Sequence, residues 1–167
     1  NSLPAETNVS LLAIAKSLIE KHGEEELIAV LAHEVGHFKK KHILTSMILT
    51  ILQLGLMCFL LEICIKNPIV SQAMGGEGVV FHLGILAFSI LFSPLGTLIG
   101  MVMNVLSRKN EYEADDYAKS TYDGKALQLA LKKLSVDSLS NLHPHPWYVF
   151  IHYSHPPLLK RLEALNK

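Results

Sequence analysis

The sequence predicts an all-α membrane protein in which a transmembrane helical hairpin is inserted between the two halves of a polar helical domain. Two long apolar stretches predict the hairpin, and segments of helix-forming residues with many charges flank it. Half of the 167 residues are hydrophobic and only 18% are charged, whereas about 25% are charged in a typical soluble domain. The formal net charge is zero, so nothing indicates a nucleic acid or an acidic partner.

We interpret residues 1–167 as one domain with three consecutive parts. Residues 1–42 contain a lead-in and the first polar helix, residues 43–65 and 79–106 form the two spans, and residues 107–167 contain the polar helices that follow. The chain shows neither an initiator methionine nor a signal-peptide pattern at its start. We therefore expect it to be the C-terminal region of a longer protein.

The two apolar stretches are long enough to cross a bilayer. Residues 43–65 carry no charge before Glu62, and residues 79–106 contain no Asp, Glu, Lys or Arg. About 20 apolar residues span the hydrocarbon core as a helix. Pro94 lies in the second stretch, where we expect a kink because proline removes a backbone hydrogen bond. Buried helices of a soluble protein are the alternative, but this chain is too small to hide them.

The charges that flank the hairpin predict its orientation. Three lysines at residues 39–41 precede the first span, and Arg108 and Lys109 follow the second, while the loop between them has only Lys66 against Glu77. By the positive-inside rule, both flanks are cytoplasmic. Two crossings return the chain to the side that it left, so both polar halves can contribute to one site.

The sequence Ala32-His33-Glu34-Val35-Gly36-His37 contains an H-E-x-x-H motif within a segment that we predict to be helical. On a helix, His33 and His37 lie one turn apart on the same face, where two imidazoles can bind one metal ion. Glu34 lies about 100° further round. From there it can serve as a base for a bound water rather than as a ligand. The alternative is an ordinary helix whose histidines are core or surface groups.

A third ligand is available after the second span. Glu111 and Asp115 are four residues apart and share one helix face, whereas Glu113 is roughly opposite. An acid on that face can complete a tetrahedral His2Glu zinc site with one position open for water. Asp115 can accept the spare N–H of a ligating histidine. We expect Glu113 and Asp116 to be solvated. The polar domain is thus predicted to be a zinc metallopeptidase helical domain.

The ends of the chain give weaker signals. Residues 9–19 predict a helix, or a strand that runs into a helix, and residues 124–139 predict an amphipathic helix. Residues 141–155 resemble a loop, and a short helix follows the two prolines after it. This loop contains four histidines without helical ligand spacing, which we expect to be surface or substrate-path residues: His143, His145, His152 and His155.

These motifs resemble those of the integral-membrane CAAX prenyl proteases, which are zinc peptidases that trim prenylated proteins. The resemblance extends from about Leu18 to the end of the chain. Besides the H-E-x-x-H motif it comprises Phe92-Ser93-Pro94, Ser107-Arg108-x-x-Glu111-x-x-Ala114-Asp115 and Tyr153-Ser154-His155-Pro156-Pro157-Leu158-Leu159-x-Arg161-Leu162. The last motif is the most specific, because the HtpX-type membrane proteases share the first metal motif but usually carry a looser terminal one.

The resemblance implies that zinc is bound by His33, His37 and Glu111. It further implies that Glu34 is the general base and that Asp115 supports a ligand. The implied reaction is hydrolysis of a peptide bond by a zinc metalloendopeptidase.

The resemblance also places His155 and Arg161 among the catalytic groups, with His155 the better candidate for binding the developing oxyanion. The implied partners are the lipid bilayer and a prenylated or otherwise hydrophobic peptide substrate. The implied location is the endoplasmic reticulum or inner nuclear membrane in a eukaryote, or the inner membrane in a bacterium.

Two other functions are compatible with the same residues. An HtpX-type quality-control protease would use the same chemistry on misfolded membrane proteins. A non-catalytic zinc-binding membrane module would keep the metal for structure or partner binding. Glu34 argues against such a module, because a structural site has no use for a base and closes its fourth position.

Overall fold

The computed structural model describes residues 22–167, and every regular element within that range is a helix. The all-α prediction is confirmed, while the lead-in predicted for residues 9–19 lies outside the described residues. The helices are α1 (Glu24–Lys39), α2 (His42–Lys66), α3 (Pro68–Ala73), α4 (Phe81–Thr121), α5 (Gly124–Asp137), α6 (Pro146–His152) and α7 (Leu158–Asn166).

Helices α2 and α4 form the predicted apolar hairpin. Both are long and apolar enough to cross a membrane, and only 6% of the residues in the most apolar part of each are buried. The core helix of a soluble protein would be mostly buried, so this exposure favours contact with lipid. The two helices pack closely at Gly84, where a Cβ would lie 2.6 Å from the Cα of Ile65.

The connection between the spans contains a short helix, α3, where the sequence predicted only a loop. Pro68 begins this helix, and the side chain of Asn67 accepts a hydrogen bond from the backbone of Ile69 at 2.9 Å. Ser71 is fully buried, and its hydroxyl accepts a hydrogen bond from the backbone N–H of Val80 at 3.0 Å. These bonds close the loop directly before α4 begins.

Helix α4 is a single element of 41 residues, although the sequence divided it into a span and a separate polar helix. Residues 101–121 contain neither glycine nor proline, so no helix-breaking residue ends the helix where the apolar stretch stops. Pro94 lies within the helix and does not terminate it. Residues 107–121 extend beyond the membrane-spanning segment, and the hairpin is thereby joined rigidly to the polar half.

The polar half has its core between α1, α4, α5 and α7. Small side chains let these helices approach closely, and the core consists of Ala29, Ala118, Ala126, Leu127 and Leu165. Helix α5 begins at Asp123, whose carboxylate accepts a hydrogen bond from the backbone of Lys125 at 2.7 Å. Helix α6 falls within the predicted loop. It is held against α4 because Asn104 donates to the carbonyl of Ile151 at 2.7 Å.

Candidate metal centre

His33, His37 and Glu111 bring their side chains together at the contact between α1 and α4. The Nε2 atoms of the two histidines are 3.2 Å apart. The Nε2 of His37 is 3.4 Å from one oxygen of Glu111, and that of His33 is 3.8 Å from the other. Zinc bonds of about 2.0–2.1 Å in a tetrahedron place neighbouring donor atoms about 3.3 Å apart. The His33–His37 and His37–Glu111 distances are close to this value, and one donor atom from each of the three residues lies within 4.8 Å of the other two, so these side chains can hold a zinc ion.

The four-residue spacing within α1 explains why His33 and His37 lie together, and the close packing of α1 against α4 explains why Glu111 joins them. Gly36, beside His37, presses against α4, because a Cβ there would lie 3.1 Å from the Cα of Ala114. Ala114 lies one helical turn after Glu111, so its small side chain lets the two backbones approach while Glu111 reaches the histidines. Gly36 and Ala114 are both buried.

Glu34 lies on the same turn of α1 but remains exposed. The negative charges of Glu34 and Glu111 both tend to raise the pKa of His37. Burial and the neighbouring His33 nevertheless lower the pKa of His37 below its usual value. A lowered pKa favours the neutral imidazole, which is the form that binds a metal.

Asp115 lies behind His33, on the side away from Glu111. Its Oδ1 is 2.9 Å from the Nδ1 of His33; the distance is that of a hydrogen bond, although the ring is not turned into line with the oxygen. Burial alone would raise the pKa of Asp115, but the hydrogen bonds from Arg161 and the proximity of His33 lower it. Asp115 is therefore a charged, buried carboxylate in the position that its spacing predicted.

Arg161, from α7, lies between two carboxylates. Its Nε donates to Asp115 at 2.8 Å, and its Nη1 is 3.1 Å from Glu111. Burial opposes the charge of Arg161, but its contacts with Asp115 and Glu111 raise its pKa. Arg161 is 9% exposed and serves as a counter-ion for the two acids, and it also lines the groove that opens beside His155.

His155 approaches the same centre from the segment between α6 and α7. Its Nδ1 is 3.2 Å from Glu111, and 67% of its side chain is exposed. The hydrogen bond with Glu111 raises the pKa of His155 above its usual value, against the effect of burial. Burial would raise the pKa of Glu111, but His155 and Arg161 lower it.

A groove of about 490 Å³ opens beside His155. Its walls include Leu131 and Leu134 from α5 and the stretch from His152 to Leu158. Of the four histidines in the predicted loop, His155 contacts the metal centre and His152 lines this groove. The groove offers room for a chain next to the exposed imidazole.

Two residues at the centre were not predicted from the sequence. His42 is buried, and its Nδ1 is 3.0 Å from the Nδ1 of His37. Its Nε2 is 3.3 Å from Glu113, an acid that we expected to be solvated. Asp116 is exposed, as expected. The sequence offers no clear signal for this contact, because lysine is a good helix former and the three lysines before His42 do not predict a turn.

Known proteins are similar to this chain both in sequence and in fold. The sequence model of peptidase family M48 matches residues 6–167. The chain is 36% identical to the CAAX prenyl protease 1 homolog of Homo sapiens over 91% of this chain and 33% of that one. It is 32% identical to CAAX prenyl protease 1 of Saccharomyces cerevisiae over 93% of this chain and 38% of that one.

A solved structure, the crystal structure of Ste24p from S. mikatae, is similar with a TM-score of 0.75 and 33% sequence identity, over 89% of this chain and 37% of that one. The chain thus spans about a third of the length of these relatives. The match to the family model covers nearly the whole chain and includes both helices of the metal centre. The chain belongs to peptidase family M48, a family of metallopeptidases.

Proposed function

We propose that this chain is the catalytic region of a zinc-dependent membrane endopeptidase that processes the C-termini of prenylated CAAX proteins. One observation carries the proposal: His33, His37 and Glu111 bring one donor atom each within 4.8 Å of one another, as zinc ligands would, and the exposed Glu34 lies on the same helical turn as the histidines. A zinc centre that keeps its fourth position open is catalytic rather than structural. The matching relatives are named as CAAX prenyl proteases, which supports the choice of substrate.

The proposed reaction assigns a separate task to each side chain. A zinc ion held by His33, His37 and Glu111 would supply Lewis acidity to the scissile carbonyl and to a water molecule. Glu34 accepts a proton from that water and later delivers it to the nitrogen of the leaving peptide. His155 directs a ring N–H towards the oxygen that becomes negative, and its raised pKa keeps more of it in the donating form. Arg161 and Asp115 hold the ligands in place.

The membrane hairpin supports an apolar substrate that reaches the site from or near the bilayer. Helix α4 is continuous from the span to the metal centre, so a lipid-anchored peptide needs no long excursion into water. We place the catalytic side in the cytoplasm, because Arg108 and Lys109 and the lysines at residues 39–41 flank the spans. The membrane is that of the endoplasmic reticulum or the inner nuclear membrane in a eukaryote, or the inner membrane in a bacterium.

The test compares a farnesylated CAAX peptide with the same peptide lacking the lipid. The protein is purified in detergent, its zinc is measured, and products are identified by mass spectrometry. We expect one zinc per chain and cleavage of the farnesylated peptide alone. Glu34→Gln should retain zinc and lose activity by about 100-fold or more, whereas Glu111→Ala should lose the metal. Zinc-dependent cleavage that survives Glu34→Gln would contradict the assigned base.

The same experiment separates the two alternatives. A quality-control protease of the HtpX type would cleave an unmodified loop of a misfolded membrane protein as well as the lipidated peptide. A non-catalytic zinc-binding module would bind the metal but cleave neither substrate. Glu34 is intact and exposed beside the donors, which favours the catalytic function over the module.

A further inference from the structure

We propose that His42 and Glu113 form an orienting chain that holds His37 in the tautomer and ring orientation needed to bind zinc. Both are positioning residues, because they act through His37. The inference rests on the proposed role of His37 as a ligand and extends it to two residues that the motifs do not include.

The orienting chain consists of two successive contacts that lead away from the metal centre. The Nδ1 of His37 is 3.0 Å from the Nδ1 of His42, and the Nε2 of His42 is 3.3 Å from Glu113. The imidazole of His42 is 9% exposed, whereas the carboxylate of Glu113 is 38% exposed. The series therefore begins at a ligand, passes through a buried ring and ends at an acid that water can reach.

Only one arrangement of protons satisfies both contacts and leaves His37 free to bind zinc. Its Nε2 faces the other two donors and must be unprotonated, so the proton resides on Nδ1. That N–H donates to the Nδ1 of His42, whose own proton is then on Nε2 and donates to Glu113. The reverse arrangement would place a proton on the Nε2 of His37 and block the metal.

A corner in the backbone brings His42 to this position. On a continuous helix, a residue five positions after His37 would lie about 140° away round the axis. Helix α1 ends at Lys39, and Lys41 adopts a left-handed conformation with φ of 58° before α2 begins at His42. The chain reverses there, and His42 turns back onto the face that carries His37. Lysine occupies a conformation that usually favours glycine, which shows that the surroundings enforce the corner.

Positive charges surround Glu113, the carboxylate at the outer end of the orienting chain. The Nζ of Lys109 is 3.7 Å from Glu113. Lys40 and Glu113 both line a second groove, also of about 490 Å³, which is separate from the one beside His155. His33 is held differently, because its Nδ1 faces Asp115, a buried acid paired with Arg161. Each histidine thus has its own carboxylate, reached directly by His33 and through a second imidazole by His37.

The test measures zinc affinity by competition with a chromophoric chelator, so it does not depend on turnover. Outer partners of metal-binding histidines typically contribute about 10–100-fold to affinity. We expect a loss in that range for His42→Ala and a smaller loss for Glu113→Ala. His42→Gln should recover much of the affinity, because its amide can accept from His37 and donate to Glu113. His82→Ala and Asp116→Ala, which alter exposed residues of the same types, should leave the affinity unchanged.

A double substitution tests whether the two residues act in series. If Glu113 acts only through His42, then His42→Ala combined with Glu113→Ala should bind zinc no more weakly than His42→Ala alone. Additive losses of zinc affinity would mean that Glu113 does not act through His42, and this result would overturn the proposed orienting chain. Nitrogen-15 spectra of the histidine rings provide a second measurement, because His37 should carry its proton on Nδ1 in the wild type and lose that preference in His42→Ala.

The outcomes separate this inference from the proposed function. A wild-type protein without zinc, or one whose zinc survives His37→Ala, would contradict the metal site itself. Zinc that is lost in His37→Ala but held with unchanged affinity in His42→Ala would overturn only the orienting chain. Loss of the far-ultraviolet helix signal in His42→Ala would be an effect on folding; the zinc affinities of His42→Gln and Glu113→Ala would then decide.

Discussion

The polar half and the apolar hairpin share helix α4, yet they are held together in different ways. Each has one close backbone contact at a glycine: Gly36 meets Ala114 in the polar half, and Gly84 meets Ile65 in the hairpin. Around the first contact lie a buried core and paired charges, with Arg161 between two carboxylates. Around the second lie exposed leucines and isoleucines.

This difference shows how the solvent determines what stabilises a helix pair. In water, the polar half gains free energy by burying apolar surface, and its buried charges must be paired. Between helices in lipid the hydrophobic effect contributes little, because lipid tails are as apolar as leucine. The hairpin therefore depends on close packing at Gly84. Three substitutions test this contrast, and they are given in order of decreasing expected effect.

The largest effect is expected from Arg161→Met. The substitution leaves Asp115 and Glu111 buried without their cation, and removal of one partner from a buried ion pair costs about 3–5 kcal/mol. Lys66→Met in the hairpin breaks an exposed pair with Glu62, which water screens, and should have little effect on stability. Denaturant titrations followed by circular dichroism compare the two variants. Similar losses in both would refute the contrast between the halves.

Gly84→Ala should weaken the hairpin without affecting the metal. The added Cβ would lie 2.6 Å from the Cα of Ile65 and 2.8 Å from the carbonyl oxygen of Cys64, so the two backbones must separate. Overpacking of this kind costs about 1–3 kcal/mol. Gly100→Ala is the matched control, because nothing lies within 4 Å of its Cβ. Thermal unfolding in detergent gives the stability, and a chelator assay should show unchanged zinc affinity.

Gly36→Ala should have the smallest effect on stability and a specific effect on the metal centre. Its Cβ would lie 3.1 Å from the Cα of Ala114 and from the Cβ of Tyr117, so the helices need to move by only a few tenths of an ångström. We expect a loss of stability below about 1 kcal/mol. The same movement separates His37 from Glu111 and should weaken zinc binding. Unchanged zinc affinity would mean that the site tolerates this displacement.

Much of the fold could be read from local patterns, and the errors arose where a boundary depended on context. The all-α class and the two membrane-length helices followed from apolar stretches long enough to span a bilayer, where a single segment satisfies its own backbone hydrogen bonds as a helix. The change from apolar to charged side chains at residue 106 does not end α4, because it does not interrupt backbone hydrogen bonds. Helix α6 was missed because prolines and aromatics predict a loop, whereas contacts with Asn104 and Arg108 hold it in place.

By itself, the sequence determined the features that depend on the helical period and on side-chain chemistry: the shared face of His33 and His37, the position of Glu34, and two apolar stretches of membrane length. Only the tertiary structure decided which distant groups meet them. Arg161 reaches both Asp115 and Glu111 because α7 packs against α4, and His42 faces His37 because the chain reverses at Lys41. Periodicity acts within one helix, whereas these contacts depend on how separate helices pack.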